Sequence, residues 1–294
     1  MYRELVDLLK CPCCGADLRL TDVRKEAREV IEGTLICGTG HRFGIVEGVA
    51  DFGSSEQTDA NSWSEYYREM RYDELDAAID SRKTDRQKQT ERDFLNGITA
   101  ETAKLEQGVL LDVASGRGML LRRLLQTAKP SVHIVATDLS FEVLACDRIK
   151  LKSVNPDIRV SYVACDATAL PFRDRSIDMV CSFAGFMNMM NLMENGIAEA
   201  ARVLKPGRCL IDSVMYMEEA SDGYREVREI LSGNGMETVA DHLLRDRLLD
   251  LYSRYFGAVS DRTVYEGIGE KAEGDLLPYE GAWYAQSVIR AEKA

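Results

Sequence analysis

Apolar and polar residues follow two periodicities in the larger C-terminal part of the chain, and these predict a series of short elements. From residue 108 onward, continuous apolar runs alternate with stretches in which apolar residues recur every three or four positions. Apolar strands separated by helices are typical of a parallel sheet that is covered on both faces, so we expect a doubly wound, mostly parallel α/β fold. The predicted strands cover 109–113, 132–138, 158–164, 177–183 and 208–216, and the predicted helices cover 118–128, 141–151, 193–204, 224–232 and 237–255.

The C-terminal part has two β-prone runs around a glycine-rich turn, which predicts a hairpin that closes one edge of the sheet. With this hairpin, the predicted sheet has seven strands.

The first 107 residues follow other patterns. Residues 1–52 carry short β-prone runs between glycine turns, whereas residues 53–107 are polar and charged with helical periodicity. We therefore predict a small module over 1–52, a helical linker or lid over 53–107 and the sheet domain over 108–294. The module is too small for a core of its own and needs a staple.

Three apolar runs each end in a lone aspartate: Asp112, Asp138 and Asp166. Because a doubly wound sheet binds ligands at the carboxyl ends of its strands, we expect all three to face one small polar ligand. Asp138 follows Gly118 by 20 residues, a spacing at which an acid accepts hydrogen bonds from both hydroxyls of a ribose. If Asp166 accepts a hydrogen bond from an exocyclic amine, the ligand is an adenosine.

Other interpretations compete with this one. A nicotinamide dinucleotide would require a third glycine at position 121, where the chain has Leu121. The "SGRG" segment also suits a plain strand-to-helix turn, and any one of the aspartates suits a helix N-cap. Three such features in order at one edge favour a ligand site.

The sequence resembles the class I methyltransferases that use S-adenosylmethionine. Four motifs between residues 105 and 216 carry the resemblance: "DVASGRG", "ATDLS", "CDATALPFRDRSIDMV" and "EAARVLKPGRCLI". It implies a Rossmann-like fold in which the glycine loop approaches the methionine part of S-adenosylmethionine. The cofactor residues that it implies are Asp112, Ala114, Gly116, Gly118, Asp138, Leu139, Asp166, Ala167, Phe183 and Ala184.

The chain departs from this family at Ala114, where glycine is usual. Alanine fits when φ is negative, so we expect a negative φ at Ala114, a slightly changed loop and retained binding. The segments "LDVASG" and "GFMNMMN" resemble the quinone-biosynthesis type of small-molecule C-methyltransferase, which implies that Asn188 lies near the acceptor. An apolar strand-to-helix junction is the alternative interpretation of "GFMNMMN".

Two pairs of metal-ligating residues stand in the first module. Cys11 and Cys14 form C-x₂-C, and Cys37 and His41 form C-x₃-H. This spacing predicts a tetrahedral zinc site with four protein ligands, which makes the zinc structural. Free or disulfide-bonded thiols are the alternative, and Cys13 competes with Cys14 as a ligand.

The module resembles the zinc ribbon of ribosomal RNA guanine-N1 methyltransferases through "CPCCG" and "CGTGHRF". That likeness implies an RNA acceptor, with a basic run at 82–92 as the candidate phosphate contact. The net charge of −12 disfavours RNA, because neutralising phosphates takes a concentrated basic surface. We therefore expect a methyltransferase with a small-molecule acceptor; an RNA base methyltransferase and a non-catalytic cofactor-binding adaptor are the alternatives.

No apolar run approaches the roughly 20 residues that cross a bilayer, and no leader-like segment begins the chain, so we expect a cytoplasmic protein without membrane contact. His133 and His242 are interpreted as structural or exposed rather than catalytic, which leaves the catalytic base unassigned. The sequence does not assign an oligomeric state either. Trp63, Tyr66 and Tyr67 lie on the predicted lid.

Overall fold

The computed structural model describes residues 1–53, 72–270 and 276–294. Its strands are β1 (Leu18–Glu26), β2 (Glu29–Cys37), β3 (Arg42–Val46), β4 (Val49–Asp51), β5 (Gly108–Val113), β6 (Val132–Asp138), β7 (Arg159–Ala164), β8 (Ile177–Ser182), β9 (Leu204–Met217), β10 (Ala258–Ile268) and β11 (Trp283–Glu292). Its helices are α1 (Tyr72–Ser81), α2 (Asp85–Thr102), α3 (Met119–Thr127), α4 (Phe141–Leu151), α5 (Gly185–Asn188), α6 (Met193–Val203), α7 (Asp222–Gly233), α8 (Glu237–Asp241) and α9 (Arg245–Ser253).

The strands form a single sheet in the order β1-β2-β3-β4-β7-β6-β5-β8-β9-β11-β10. Strands β4, β7, β6, β5, β8 and β9 run parallel, each to its neighbour. Strand β11 pairs antiparallel with β9 and with β10, and the predicted C-terminal hairpin is thereby confirmed. The predicted doubly wound α/β fold is also confirmed.

The predicted number of seven strands is wrong, because the described residues form an eleven-stranded sheet. The four additional strands come from the N-terminal segment, and β4 joins them to the edge of β7 with Val49 opposite Tyr162 and Asp51 opposite Ala164. Sequence periodicity identifies strands, but it carries no information on which edge a strand pairs with.

The N-terminal segment also shares its core with the rest of the sheet. Leu5, Leu9 and Leu35 are fully buried in the same apolar cluster as Leu111 and Val163. Backbone hydrogen bonds also connect the N-terminal segment to the segment before β8. Arg173 N donates to Leu8 O over 2.8 Å, and Lys10 N donates to Pro171 O over 3.0 Å.

The linker contributes a helix to one face of the sheet. Helix α2 begins at a capping box formed by Thr84 and Gln87, and it buries Phe94, Leu95 and Ile98. It packs against α3 and against β9, β10 and β11. Trp63, Tyr66 and Tyr67 lie outside the described residues, so closure of a lid stays a prediction.

The predicted helix at 237–255 is two helices. Helices α8 and α9 are separated by residues 242–244, of which Leu243 and Leu244 are buried. Met217 N donates to Leu243 O over 2.8 Å, which ties this bend to the end of β9. The pattern of apolar residues continues through the bend although the two helices pack into different clusters: Ala240, Leu243 and Leu244 pack with α7, whereas Leu248, Leu251 and Tyr252 pack in the main core of the sheet.

We predict that Leu9→Ala lowers the free energy of unfolding of the whole chain by about 2–4 kcal/mol, because it leaves a cavity between the N-terminal segment and the sheet. Val46→Ala is the control: Val46 is 50% exposed on β3, and its truncation should change stability by less than about 0.5 kcal/mol. Urea denaturation followed by circular dichroism checks both values. A separate early transition that alone responds to Leu9→Ala would contradict the shared core.

Candidate functional site

The turn between β5 and α3 has an unusual backbone. Ala114, Gly116 and Gly118 all have positive φ, at 53°, 52° and 69°. The expected negative φ at Ala114 is therefore wrong. The reason is a close approach to the segment after β8: a Cβ added at Gly185 would lie 2.7 Å from Ala114 Cβ and 2.8 Å from Val113 O. A glycine at 185 thus gives room to the methyl group that Ala114 adds.

Neighbouring strand β6 holds this turn, the glycine loop (114–118). Ser115 N donates to Thr137 O over 2.8 Å, and Gly116 N donates to Asp138 Oδ2 over 2.9 Å. The other carboxylate oxygen, Asp138 Oδ1, accepts from Ser140 N over 3.0 Å. Burial raises the pKa of Asp138, while these backbone donors oppose the rise. Each oxygen keeps a second lone pair for a ligand.

Asp112 lies beneath the loop rather than on its surface. Its side chain is fully buried, and its Oδ2 has no hydrogen-bond partner in the described part of the chain. Burial first, and then the nearby charges of Asp147 and Asp138, raise the pKa of Asp112 well above its ordinary value.

Asp147 on α4 is a part of this region that sequence analysis missed. It is fully buried, and a Cβ added at Gly118 would lie 2.5 Å from its Oδ2. Burial raises the pKa of Asp147 to about 7, although the ammonium group of Lys150, 3.0 Å from Oδ1, opposes the rise. The only sequence signal was an Asp-Lys pair three residues apart, which is common on exposed helix faces.

Asp166 caps a short 3-10 helix, Ala167–Ala169. Its Oδ1 accepts from Thr168 N over 2.8 Å and from Thr168 Oγ1 over 2.7 Å. The capping role that competed with ligand binding is therefore present at this aspartate. It involves one oxygen only, so a ligand role for Oδ2 stays a prediction.

The end of β8 is the fourth strand end at this edge of the sheet, beside those of β5, β6 and β7. Ala184 has a φ of 57°, and its N–H donates to Ser213 Oγ over 2.6 Å. Phe183 is half-buried and meets Phe94 of α2 edge to face, with ring centroids 5.8 Å apart. Gly185 and Ser213 were missed, although a glycine directly after a strand is a signal for close backbone approach.

The fold brings the predicted cofactor residues to one edge of the sheet, because β5, β6, β7 and β8 are parallel neighbours. Cys165 N donates to Asp138 O over 2.9 Å, which connects the segments after β6 and β7. Leu139 is half-buried beside Asp138. His133, at the opposite end of β6, is buried with Nε2 2.9 Å from Ser161 Oγ, and burial lowers its pKa to about 4. Its position fits a structural role.

The four predicted metal ligands also converge. The ligand atoms of Cys11, Cys14, Cys37 and His41 lie within 4.8 Å of one another. Cys14 Sγ is 3.8 Å from Cys37 Sγ, and His41 Nδ1 is 3.5 Å from Cys11 Sγ. Cys13 is exposed and does not belong to this group, so Cys14 is the member from the "CPCCG" segment.

Residues 110–207 match a family model described as a methyltransferase domain. The chain is 31% identical over 138 residues to the ubiquinone/menaquinone biosynthesis C-methyltransferase UbiE of Dinoroseobacter shibae, covering 47% of this chain and 54% of that protein. It is 34% identical over 136 residues to the demethylmenaquinone methyltransferase of Clavibacter sepedonicus, covering 46% and 53%. The chain thus spans about half the length of these curated relatives.

Solved structures agree on the fold. A SAM-dependent methyltransferase from Methanosarcina mazei superposes with a TM-score of 0.51 at 16% identity, covering 66% of this chain and 96% of that one. The MccD protein gives a TM-score of 0.51 at 17% identity, covering 68% and 96%. Within the described residues, no helix combines the length and apolar character needed to cross a membrane.

We predict that Gly118→Ala destabilises the protein more than Gly207→Ala does. The two glycines have nearly equal φ, 69° and 70°, so the backbone strain of about 1–2 kcal/mol is shared. Only at Gly118 does the new methyl meet a buried carboxyl group, whereas Gly207 has no atom within 4 Å of the added Cβ. Displacing Asp147 should add about 1–3 kcal/mol. Equal midpoints of urea unfolding for the two variants would contradict the close packing of Asp147 on the loop.

Proposed function

We propose that this protein is a class I methyltransferase that transfers the methyl group of S-adenosylmethionine to a small molecule. The observation that carries the proposal is the glycine loop, which has positive φ at three positions and one N–H bound to Asp138. The loop lies within the residues that match the methyltransferase domain model. The relatives that match at 31–34% identity are named as methyltransferases.

The residues present suit this cofactor. An added Cβ at Gly116 meets no atom closer than Ala114 O at 4.0 Å, so this glycine leaves an open approach for a ligand. Asp138 offers carboxylate lone pairs for a ribose, and Asp166 Oδ2 is a candidate acceptor for an adenine amino group. Asp112 contributes an unpartnered buried oxygen below the loop in the described chain.

The cofactor would supply an electrophilic methyl group on a positively charged sulfur. The task of the chain is then to hold the reacting partners in line and to keep water out. Gly116 and Gly118 permit close approach to the loop backbone, Asp138 fixes one end of the ligand, and Phe183 with Phe94 forms an apolar wall. The acceptor must lose a proton, and no side chain is assigned to that step.

An apolar acceptor suits the segment after β8. This segment reads "GFMNMMNLM", and Met190 and Leu192 are 44% and 39% exposed. Methionine side chains adapt to flat apolar rings and contact them favourably. Together with relatives named for ubiquinone, menaquinone and demethylmenaquinone, this surface supports a quinone-type or similar aromatic acceptor near Asn188.

The structure gives little support to an RNA acceptor. In the basic run at 82–92, Lys83 is paired with Asp80 and Glu91, and Arg86 is paired with Glu270. Carboxylates therefore already neutralise part of the only concentrated basic segment of a chain with a net charge of −12. Phosphate contacts at these two side chains would first have to break those pairs.

We further propose that the Cys and His cluster holds a structural zinc ion. Zinc–sulfur bonds of about 2.3 Å in a tetrahedral site place two sulfur atoms about 3.8 Å apart. Cys14 Sγ and Cys37 Sγ are separated by 3.8 Å. The Thr39 hydroxyl, 3.0 Å from Cys37 Sγ, is placed to hydrogen-bond a metal-bound thiolate. Four protein ligands leave no position for a substrate.

We predict that purified protein transfers label from labelled S-adenosylmethionine to the small-molecule fraction of an extract and not to its RNA fraction.

Asp138→Ala should weaken cofactor binding by about 2–3 kcal/mol, because a charged acceptor of ribose hydrogen bonds is lost. Asp157→Ala, at an exposed position, is the control. Scintillation counting measures the transferred label, and calorimetry measures the cofactor affinity. Label in RNA alone, or unchanged affinity of a folded Asp138→Ala protein, would overturn the respective assignment.

We also predict one zinc ion per chain. Cys14→Ser should lose the metal and lower both the melting temperature and the cofactor affinity, because Lys10, the neighbour of Cys11, is bonded through its N–H to Pro171 O in the segment that follows Asp166. Cys13→Ser is the matched control, since Cys13 is the exposed neighbour outside the cluster. Metal analysis and calorimetry distinguish the cases. Protein purified without chelator that holds no zinc would refute the site.

A further inference from the structure

A network of charged side chains connects the linker to the glycine loop. Asp76 on α1 accepts a hydrogen bond from Arg117 Nη1 over 3.0 Å at Oδ1 and one from Lys150 Nζ over 3.2 Å at Oδ2. Arg117 stands between the two glycines of the loop, and Lys150 lies on α4. One carboxylate thus joins three separate elements of the structure.

The same network fixes the loop backbone. Lys150 Nζ donates to the carbonyl oxygen of Arg117 over 2.8 Å and also lies 3.0 Å from Asp147 Oδ1. The other oxygen of Asp147 is the atom that packs against Gly118. Two successive loop residues, 117 and 118, are therefore held from the α4 side while β6 holds residues 115 and 116.

Burial decides how much such contacts contribute. Exposed ion pairs usually add little to stability, whereas pairs withdrawn from water interact more strongly. The side chains of Lys150 and Arg117 are only 8% and 12% exposed, and that of Asp76 is 31% exposed. Removing the carboxylate would leave two nearly buried cations without their shared acceptor, and the loop carbonyl would lose the orientation of its donor.

We propose that Asp76 is a positioning residue that keeps the glycine loop in its cofactor-binding conformation through Arg117 and Lys150. This inference rests on the proposed cofactor. Asp76 acts on the loop from α1, through its contacts with Arg117 and Lys150. Positive φ at Ala114 makes the loop dependent on outside contacts, because a residue with a Cβ keeps such a backbone only where its surroundings determine it.

The chain offers a matched control on the same helix. Asp80 also lies on α1 and, like Asp76, Arg117 and Lys150, lines a polar cavity of 410 Å³. Its carboxylate forms an ion pair with Lys83 Nζ, 3.1 Å away, rather than with a residue of the loop. Asp80→Asn therefore removes the same charge from the same helix and cavity without touching the loop network.

The test measures calorimetric binding of S-adenosylhomocysteine, the product form of the cofactor, to the full-length protein. Asp76→Asn should weaken binding by about tenfold and Asp80→Asn by less than about twofold. Asp76→Glu keeps the carboxylate and should recover most of the affinity. Arg117→Gln approaches the same contact from the loop, and adding it to Asp76→Asn should weaken binding little beyond either single change, because both remove one interaction.

The outcomes separate the two proposals. If the wild-type protein binds no S-adenosylhomocysteine, the proposed function fails and this inference falls with it. If the wild type binds and both Asp76→Asn and Arg117→Gln bind equally well, the function stands and the positioning role is refuted. Loss of affinity that Asp76→Glu does not recover, or that Asp80→Asn shares, would point to general destabilisation of α1 and also refute it. Thermal melting of each variant establishes that it is folded.

Discussion

The backbone of the glycine loop is the constraint on which the rest of the candidate site depends. Positive φ is costly for any residue with a Cβ, yet Ala114 adopts it at 53°. The loop keeps this shape because Thr137 and Asp138 accept its N–H groups from β6, and because Gly185 leaves room for the Ala114 methyl group. Both neighbours are available only in a parallel sheet in which β6 and β8 flank β5.

The same dependence explains the role of the N-terminal segment. Strand β4 extends the sheet beyond β7, and Phe52 N donates to Ala164 O over 3.0 Å at the carboxyl end of that strand. The chain near Cys11 is bonded to the segment that follows Asp166. A metal ion held by the Cys and His cluster would stiffen one wall of the candidate cofactor site, which is a structural role consistent with four protein ligands and no open coordination position.

Local features of the fold were predictable from sequence, and distant contacts were not. The elements from β5 to β9 follow from the change between strand and helix periods, and the cluster containing Cys14 follows from C-x₂-C and C-x₃-H spacing. The pairing of β4 with β7 and the fit of Ala114 against Gly185 join residues far apart in sequence, so no local pattern records them. Asp147 and Lys150 were missed because three-residue spacing of opposite charges is the same on a buried helix face as on an exposed one.

The electrostatics of the edge favour a cationic ligand over a dinucleotide. Burial raises the pKa of Asp112, Asp138 and Asp147. The nearby charges of Asp147 and Asp138 further raise the pKa of Asp112, and the charge of Asp138 further raises that of Asp147. Lys150 offsets the charge of Asp147, whereas Asp112 has an oxygen without a hydrogen-bond partner in the described chain. A pyrophosphate at this loop would disfavour the ionised forms of these acids still further. The sulfonium and amino groups of the proposed S-adenosylmethionine would instead favour the ionised forms, so the buried acids suit the same ligand class that Leu121, in place of a third glycine, indicates.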